Sequence, residues 1–391
     1  MSIKIARRLS GSKEYYFSTK LKQLSEMKEN GIDILNLGIG SPDMAPPENA
    51  VLSLIREAGK SETHGYQSYR GLPEFRTAVQ EFYQIHYHSQ ISDNNVLPLI
   101  GSKEGLMHIA MTYLEKGDIA LVPDPGYPTY EAVTRMAEAT PVKYKLNEKN
   151  KWLIDTGYLE NLIKSFPVKV IFMNYPHMPT GASGTINMFK RVLKIAEENN
   201  ILLINDNPYS FILNDSPISA LQAYGIHPNL IELNSLSKSH NMAGWRIGFM
   251  VTSEEHISNI LKFKTNMDSG MFLPVQIAAA KALKSSKTWF DNLNKEYKKR
   301  KLVAMKLLDQ LECKYDTKAS GMFIWARIPD TFSNGEALSD HILNATGVFL
   351  TPGFIFGEQG DKFIRISLCS SVNTFEDALN RILSIPNKIA I

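Results

Sequence analysis

The stretch "NSLSKSHNMAGWRIGF", Asn234–Phe249, sets a single lysine, Lys238, among serines and small residues, with Arg246 eight positions later and no carboxylate between them. Two cations this close serve a shared anion, or one of them is not a charge at all. A lysine can form an imine with a carbonyl cofactor, and an arginine fork can hold that cofactor's phosphate. By itself a lysine in a polar stretch reads as surface. This one follows the apolar, strand-like "NLIELNS", which favours burial at a strand end.

Outward from this stretch, short apolar runs alternate with amphipathic ones. "NNVLPLI" precedes the helical "SKEGLMHIAMTYLEKG", "IALVPD" precedes "YPTYEAVTRMAEA", and "KVIFMN" precedes "INMFKRVLKIAEENN", with "ILLIND" next. The apolar runs lack in/out alternation, as strands do when helices cover both faces of a sheet. This repetition predicts an α/β unit with a mostly parallel sheet. Upstream, residues 14–30 read as an amphipathic helix stopped at Gly31, "IDILNLGIG" as a short strand and "SPDMAPPENA" as a proline-punctuated loop. After residue 285 the texture changes. A charged helix over 287–312 leads to "MFIWARIP", a helix near 335–344, "KFIRISL" and a last helix from 373, which predicts a smaller α+β unit.

The 391 residues are enough for two such units, and 43 basic against 40 acidic residues leave no charge excess that calls for a polyelectrolyte partner. The densest basic cluster, Lys298, Lys299, Arg300 and Lys301, lies in a polar helical stretch and reads as a solvated face, so no nucleic-acid partner is expected. The two cysteines, Cys313 and Cys369, have no metal-ligand or disulfide spacing, and no metal site is expected. "MSIKIARRLSGSKEYY" lacks the apolar core of a signal peptide, and no apolar run reaches membrane-span length. The expectation is a cytoplasmic protein with no membrane contact.

Open α/β sheets bind ligands beyond the carboxyl ends of their strands, so the loops there carry the chemistry. In "LIGSKEGL" (99–106) the backbone N–H groups of Ser102 and Lys103 open a helix and suit a phosphate; an ordinary helix start is the plainer reading of that motif alone. "LGIGSPD" (37–43) fails as a dinucleotide fingerprint, because Asp43 stands at the third glycine position and Pro42 interrupts. "LLINDNPYSF" (202–211) ends a strand on Asp206, with Tyr209 three residues on: a carboxylate for a cationic ring nitrogen and a donor for a phenolic oxygen, or simply an Asp-Asn-Pro turn. Ser235 and Ser237 place hydroxyls beside Lys238, and neighbouring cations lower a lysine's pKa.

Taken together, these loops resemble the class I/II aminotransferases of the fold-type I pyridoxal-phosphate enzymes, over nearly the whole chain and in the right order. The resemblance implies the pyridoxal-phosphate-dependent transferase fold, α/β with a large domain over 48–285 and a small domain combining 1–47 with 286–391. It makes Lys238 the Schiff-base lysine, Asp206 the pyridinium partner and Tyr209 the residue on the ring oxygen. Ser102, Lys103, Ser235, Ser237 and Arg246 then surround the phosphate. "PDPGYPTY" puts Tyr127 where an aromatic residue stacks on the ring, and "GYQSYRGLPEFR" puts Tyr66 where a tyrosine reaches the neighbouring subunit's phosphate, which implies a homodimer. "KFIRISL" puts Arg365 on the substrate carboxylate, helped by Ile39, Gly40 and Asn174. One position departs from the pattern: in "NYPHMPTG" (174–181) Met178 stands where an asparagine usually donates to the ring oxygen, leaving that contact to Tyr209 unless His177 or a water reaches in.

The activity so implied is transfer of an amino group between an L-amino acid and a 2-oxo acid, with 2-oxoglutarate and glutamate as one pair, in the branch of the aspartate and LL-diaminopimelate aminotransferases. A C–S β-lyase of the same fold uses the same motifs. A non-catalytic ligand-binding protein on this scaffold is the third reading, and it gives no reason to keep both Lys238 and Arg365. The donor side chain is not legible. Tyr16 or Phe17 line the substrate mouth by the resemblance, or sit in the core of the first helix by their spacing.

Overall fold

The computed structural model describes residues 3–9 and 16–384. Helix Tyr16–Glu29 is followed by Gly31, whose φ of +86° favours a residue without a Cβ. A two-residue strand comes next, β1 (Leu35–Asn36). The expected strand "IDILNLGIG" is cut short here because the Asn36 side-chain oxygen accepts the N–H groups of Gly38 and Ile39 (3.0 and 3.2 Å) and turns the backbone out of line. That turn leaves the carbonyls of Gly38 and Gly40 available to side chains.

Seven strands form the central sheet: β2 (Val96–Leu99), β3 (Ile119–Asp124), β4 (Thr140–Lys145), β5 (Val168–Met173), β6 (Leu202–Asp206), β7 (Leu230–Ser235) and β8 (Gly248–Val251). Their order is β2-β8-β7-β6-β5-β3-β4, with β8 antiparallel to both of its neighbours and the other pairings parallel. The absence of alternation has the expected cause. On β5, Ile171 packs into one apolar cluster while Val170 and Phe172 pack into another on the opposite face. Helices Pro73–Tyr87, Ile186–Glu198 and Leu273–Leu283 cover the first face; Ser102–Tyr113, Pro128–Met136 and Glu254–Lys264 cover the second.

Four more strands, β9 (Lys314–Tyr315), β10 (Phe323–Arg327), β12 (Thr351–Pro352) and β13 (Phe363–Ser367), make an antiparallel sheet in the order β12-β13-β10-β9. Strand β11 (Val348–Phe349) pairs instead with β1, in parallel, so the N-terminal segment is bound to the C-terminal part of the chain. Helices Lys287–Gln310, Gly335–Thr346 and Val372–Leu383 pack around a separate apolar cluster there. The fold is α/β with a mostly parallel central sheet, as the alternation of runs predicts.

One charged cluster does not behave as expected. Lys298 and Lys299 are exposed, but Arg300 is 4% exposed and forks onto Asp43 (2.6 and 3.1 Å) and the Leu368 carbonyl (3.1 Å). Helical periodicity explains it: position 300 shares the inward face with Tyr297 and Ala304. Among the described residues no helix is long and apolar enough to cross a membrane.

Candidate active site

At the carboxyl edge of the central sheet lies a cavity of about 580 Å³. Strands β2, β3, β5, β6 and β7 end there, and because β8 runs the other way, its start brings Arg246 to the same edge, with Gly248 paired to both Leu99 and Ser235. Thirteen of the fourteen residues expected at the site line this cavity. The exception is Tyr66, which is 92% exposed and lies outside the cavity of its own chain.

One end suits a phosphate. The chain leaves β2 through Gly101 (φ +78°) into helix Ser102–Tyr113, whose N-terminus, the end of a helix that attracts anions, lies at the cavity. A Cβ on Gly101 would fall 2.4 Å from Arg246 Nη2 and would displace the guanidinium, and the positive φ favours glycine as well. Arg246 donates to the carbonyls of Ala243 (2.9 Å) and Ile100 (3.3 Å), which holds it beside the helix start. The Ser235 hydroxyl accepts the Ser237 N–H (3.2 Å) and caps the single-turn helix Leu236–Ser239 that carries Lys238.

The middle of the cavity is built around two titratable groups, a buried Asp206 and a half-buried Lys238. Asp206 is 4% exposed; its Oδ2 accepts the Tyr130 hydroxyl (3.0 Å), while Oδ1 has no hydrogen-bond partner in the protein. Burial pushes its carboxyl up to about 7, against the lowering effects of Tyr130 and of the nearby Ser102 hydroxyl. Lys238 donates to the Gly40 carbonyl (2.6 Å), and its amine is held below the usual lysine range. Burial is the main cause of that shift and the positive charges of Arg365 and Arg246 add to it, so the neighbouring cations named from the sequence are the lesser part. Tyr127 and Tyr209 are raised, chiefly by burial. Asn174 donates to the Asp206 carbonyl (2.5 Å) and accepts the Met178 N–H (2.7 Å), tying the loop after β5 to the end of β6.

The far end holds Arg365, 4% exposed, on β13. Its guanidinium lies 4.1 Å from the Phe323 ring centre and 4.7 Å from that of Phe356, and it donates to the Gly38 carbonyl (2.7 Å). Met178 lines this end too, with its sulfur 3.5 Å from Arg365 Nη1, so the departing residue faces the cavity and packs on the arginine. His177 does not line the cavity. It is 2% exposed, bonded through Nδ1 to Thr180 Oγ1 (2.8 Å), and burial lowers it to about 3.

Tyr130, Phe323 and Leu21 also line the cavity and were not found from the sequence. Tyr130 had a signal, since it stands one helical turn beyond Tyr127 in "GYPTY". Phe323 and Leu21 had none, because each arrives from an element distant in sequence. Tyr16, on the same helix as Leu21, packs edge-on against Phe354 (ring centres 5.4 Å apart) and does not line the cavity; the Phe17 side chain lies outside the described residues.

Pyridoxal phosphate fits this donor set. The orphaned buried Asp206 Oδ1 calls for a cationic N–H, and the glycine-cleared cradle of helix N–H groups, hydroxyls and guanidinium calls for an oxyanion.

Comparison with known proteins gives the same direction. The family model for aminotransferase class I and II matches residues 32–382. An LL-diaminopimelate aminotransferase of Natranaerobius thermophilus is 37% identical over 96% of this chain and 98% of its own length, and one of Halothermothrix orenii is 35% identical over 96% and 97%. Among solved structures, apo-BacF from Bacillus subtilis superposes over 100% of both chains with a TM-score of 0.92 at 33% identity. An aspartate aminotransferase of Thermus thermophilus shares the fold, with a TM-score of 0.90 at 21% identity over 97% of this chain and 99% of its own.

Proposed function

Because the chain belongs to the class I and II aminotransferases, a pyridoxal-phosphate-dependent family, we propose that Lys238, Asp206 and Tyr209 carry its transamination. The reaction moves an amino group between an L-amino acid and a 2-oxo acid, with 2-oxoglutarate and glutamate as one pair. The observation that carries this reading is the placing of a half-buried, low-pKa amine between an oxyanion cradle and a carboxylate-binding arginine.

When bound, pyridoxal phosphate supplies a reactive aldehyde and an electron-poor ring. Ser102, Lys103, Ser235, Ser237 and Arg246 hold its phosphate, and Tyr127 packs on its ring. Asp206 keeps the proton on a cationic ring nitrogen, which in turn removes the cost of a charge buried alone. Tyr209 donates to the ring oxygen. Lys238, favoured in its neutral form by burial, is both the nucleophile and the base that takes and returns the substrate's Cα proton. Arg365 leaves the Gly38 carbonyl to fork onto the substrate α-carboxylate, with Ile39, Gly40 and Asn174 beside it, and the two flanking rings keep its plane fixed.

Two arrangements accompany this reading. Residues 48–285 form the large domain and 1–47 with 286–391 the small one, supported by a central sheet confined to residues 96–251 and by the β1–β11 pairing. The working unit is a homodimer in which Tyr66 serves the neighbour's phosphate. The two free, buried cysteines suit a reducing compartment such as the cytoplasm.

The deciding experiment is a donor screen with 2-oxoglutarate, read as glutamate, with LL-diaminopimelate as the first donor because relatives carry that name. Glutamate formation is expected. Release of pyruvate and ammonia from cystathionine without any acceptor, and no glutamate from any donor, would overturn it in favour of the lyase.

Arg365→Ala is expected to weaken amino and oxo acids alike, by on the order of 2–5 kcal/mol, since a buried carboxylate would lose its partner. Unchanged KM values for several donors would place the carboxylate site elsewhere.

Tyr66→Phe is expected to lower cofactor affinity without dissociating the dimer. Mixed with Lys238→Ala subunits, it should form hybrids with one doubly damaged site and one intact site, so activity partly returns. A verified heterodimer with no recovered activity would rule out sharing.

A further inference from the structure

Behind the phosphate cradle lies a charge cluster that no part of the proposed chemistry uses. Lys264, at the end of helix Glu254–Lys264, is 1% exposed. Its ammonium is bonded to Asp268 Oδ2 and stands 3.5 Å from Glu104 Oε1. Glu104 lies in the first turn of helix Ser102–Tyr113, with Oε1 also 3.0 Å from His108 Nε2. Its other oxygen accepts the Ile100 N–H (2.5 Å), and the Ile100 carbonyl accepts Arg246 (3.3 Å). Glu104 thus braces the turn that positions Arg246. It also places a negative charge beneath the helix start that faces the cavity.

A carboxylate in the first turn is favourable to a helix on its own. With a phosphate bound at the same terminus, two anions lie close to one helix start, and their repulsion is strong where water is excluded. The ligand atoms of Glu104, His108 and Asp268 lie within 4.8 Å of one another, a spacing that would suit a metal ion, but the Lys264 ammonium already supplies the cation there. Asp268 extends the cluster by accepting the Gly270 N–H (3.0 Å), and Gly270 packs so closely on the Gln67 carbonyl that a Cβ would fall 2.4 Å from it.

We propose that Lys264 is a positioning residue for cofactor phosphate: its ammonium, shared between Asp268 and Glu104, offsets part of their negative charge, so that Glu104 braces the Ile100–Arg246 turn with less repulsion of the phosphate. This rests on the assignment of Ser102, Lys103 and Arg246 to that phosphate.

Titration of apoprotein with pyridoxal phosphate, and with pyridoxal as a probe lacking the phosphate, tests it. Glu104→Gln keeps an acceptor for the Ile100 N–H and removes the charge, so it should bind pyridoxal phosphate more tightly. Lys264→Met should bind it roughly tenfold or more weakly. The double variant should return to within a few-fold of the parent, and pyridoxal affinity should stay flat throughout. If Lys264→Met alone does not fold, the tightening in Glu104→Gln and its reversal in the double variant carry the test. Glu104→Gln that fails to tighten, or pyridoxal affinities that move in step with those of pyridoxal phosphate, would overturn the proposal. Arg246→Ala with undiminished affinity would show instead that the phosphate assignment had failed.

Discussion

Lys238→Ala is expected to show no detectable transamination and no yellow cofactor absorbance. The proposed assignment gives the residue two tasks, as nucleophile and as the base at the substrate Cα, and general base catalysis alone is worth about 10²–10⁴ in rate. Among the amines and guanidinium groups that line the cavity, Lys238 sits at the centre, Lys103 and Arg246 belong to the phosphate end, and Arg365 is held by Gly38 and two rings. Its position suits that assignment. Burial disfavours the ammonium form, so more of the amine is neutral near pH 7 than for a solvated lysine. The Gly40 carbonyl, freed by the Asn36 turn, aims the nitrogen across the cavity. Borohydride reduction followed by mass measurement checks the assignment: the parent should gain a covalently fixed cofactor and the variant should not. A variant that is still labelled would move the nucleophile to another amine.

Asp206→Asn is expected to bind cofactor yet slow Cα proton abstraction on the order of 10²–10⁴-fold, because a neutral amide cannot hold the proton on a ring nitrogen. Single-turnover measurement with a Cα-deuterated donor reads that step directly, and a parent-like rate would remove Asp206 from the role. The same residue gives a stability signature. Its folded-state pKa of about 7 lies above the value of about 4 for an unfolded chain, so between these limits the folded apoprotein binds more protons than the unfolded one. Stability from this group is therefore present in acid and lost as pH rises through about 7. An asparagine side chain cannot titrate. The difference in thermal midpoint, parent apoprotein minus Asp206→Asn apoprotein, should therefore fall across that window and flatten when the parent is saturated with pyridoxal phosphate. A flat difference in the apoprotein would show that Asp206 is not desolvated as described.

Much of this enzyme is local in sequence. Runs such as "KVIFMN" and "ILLIND" are apolar on both faces, so they become covered strands whatever their neighbours, and a β-α repetition then sends every strand end to one edge. That is why Ser102, Tyr127, Asn174, Asp206 and Lys238 were legible: Asp206 closes its strand, and each of the others follows its own by at most three residues. Arg246 was legible for the converse reason, since it just precedes a strand that runs backwards.

What the chain could not announce is set by contacts between distant segments. Nothing near Phe323 or Leu21 says that they line the cavity, because β10 and the first helix arrive there only through the packing of the C-terminal part of the chain on the strand ends. Arg300 reads as surface in a run of four cations, and the approach of Asp43 and of the Leu368 carbonyl makes its burial tolerable. Lys238 illustrates the division best. Its sequence neighbours marked it as unusual, but its lowered pKa comes mainly from desolvation, which no stretch of sequence carries and which exists only once the strand ends, the Gly40 loop and β13 close around the amine.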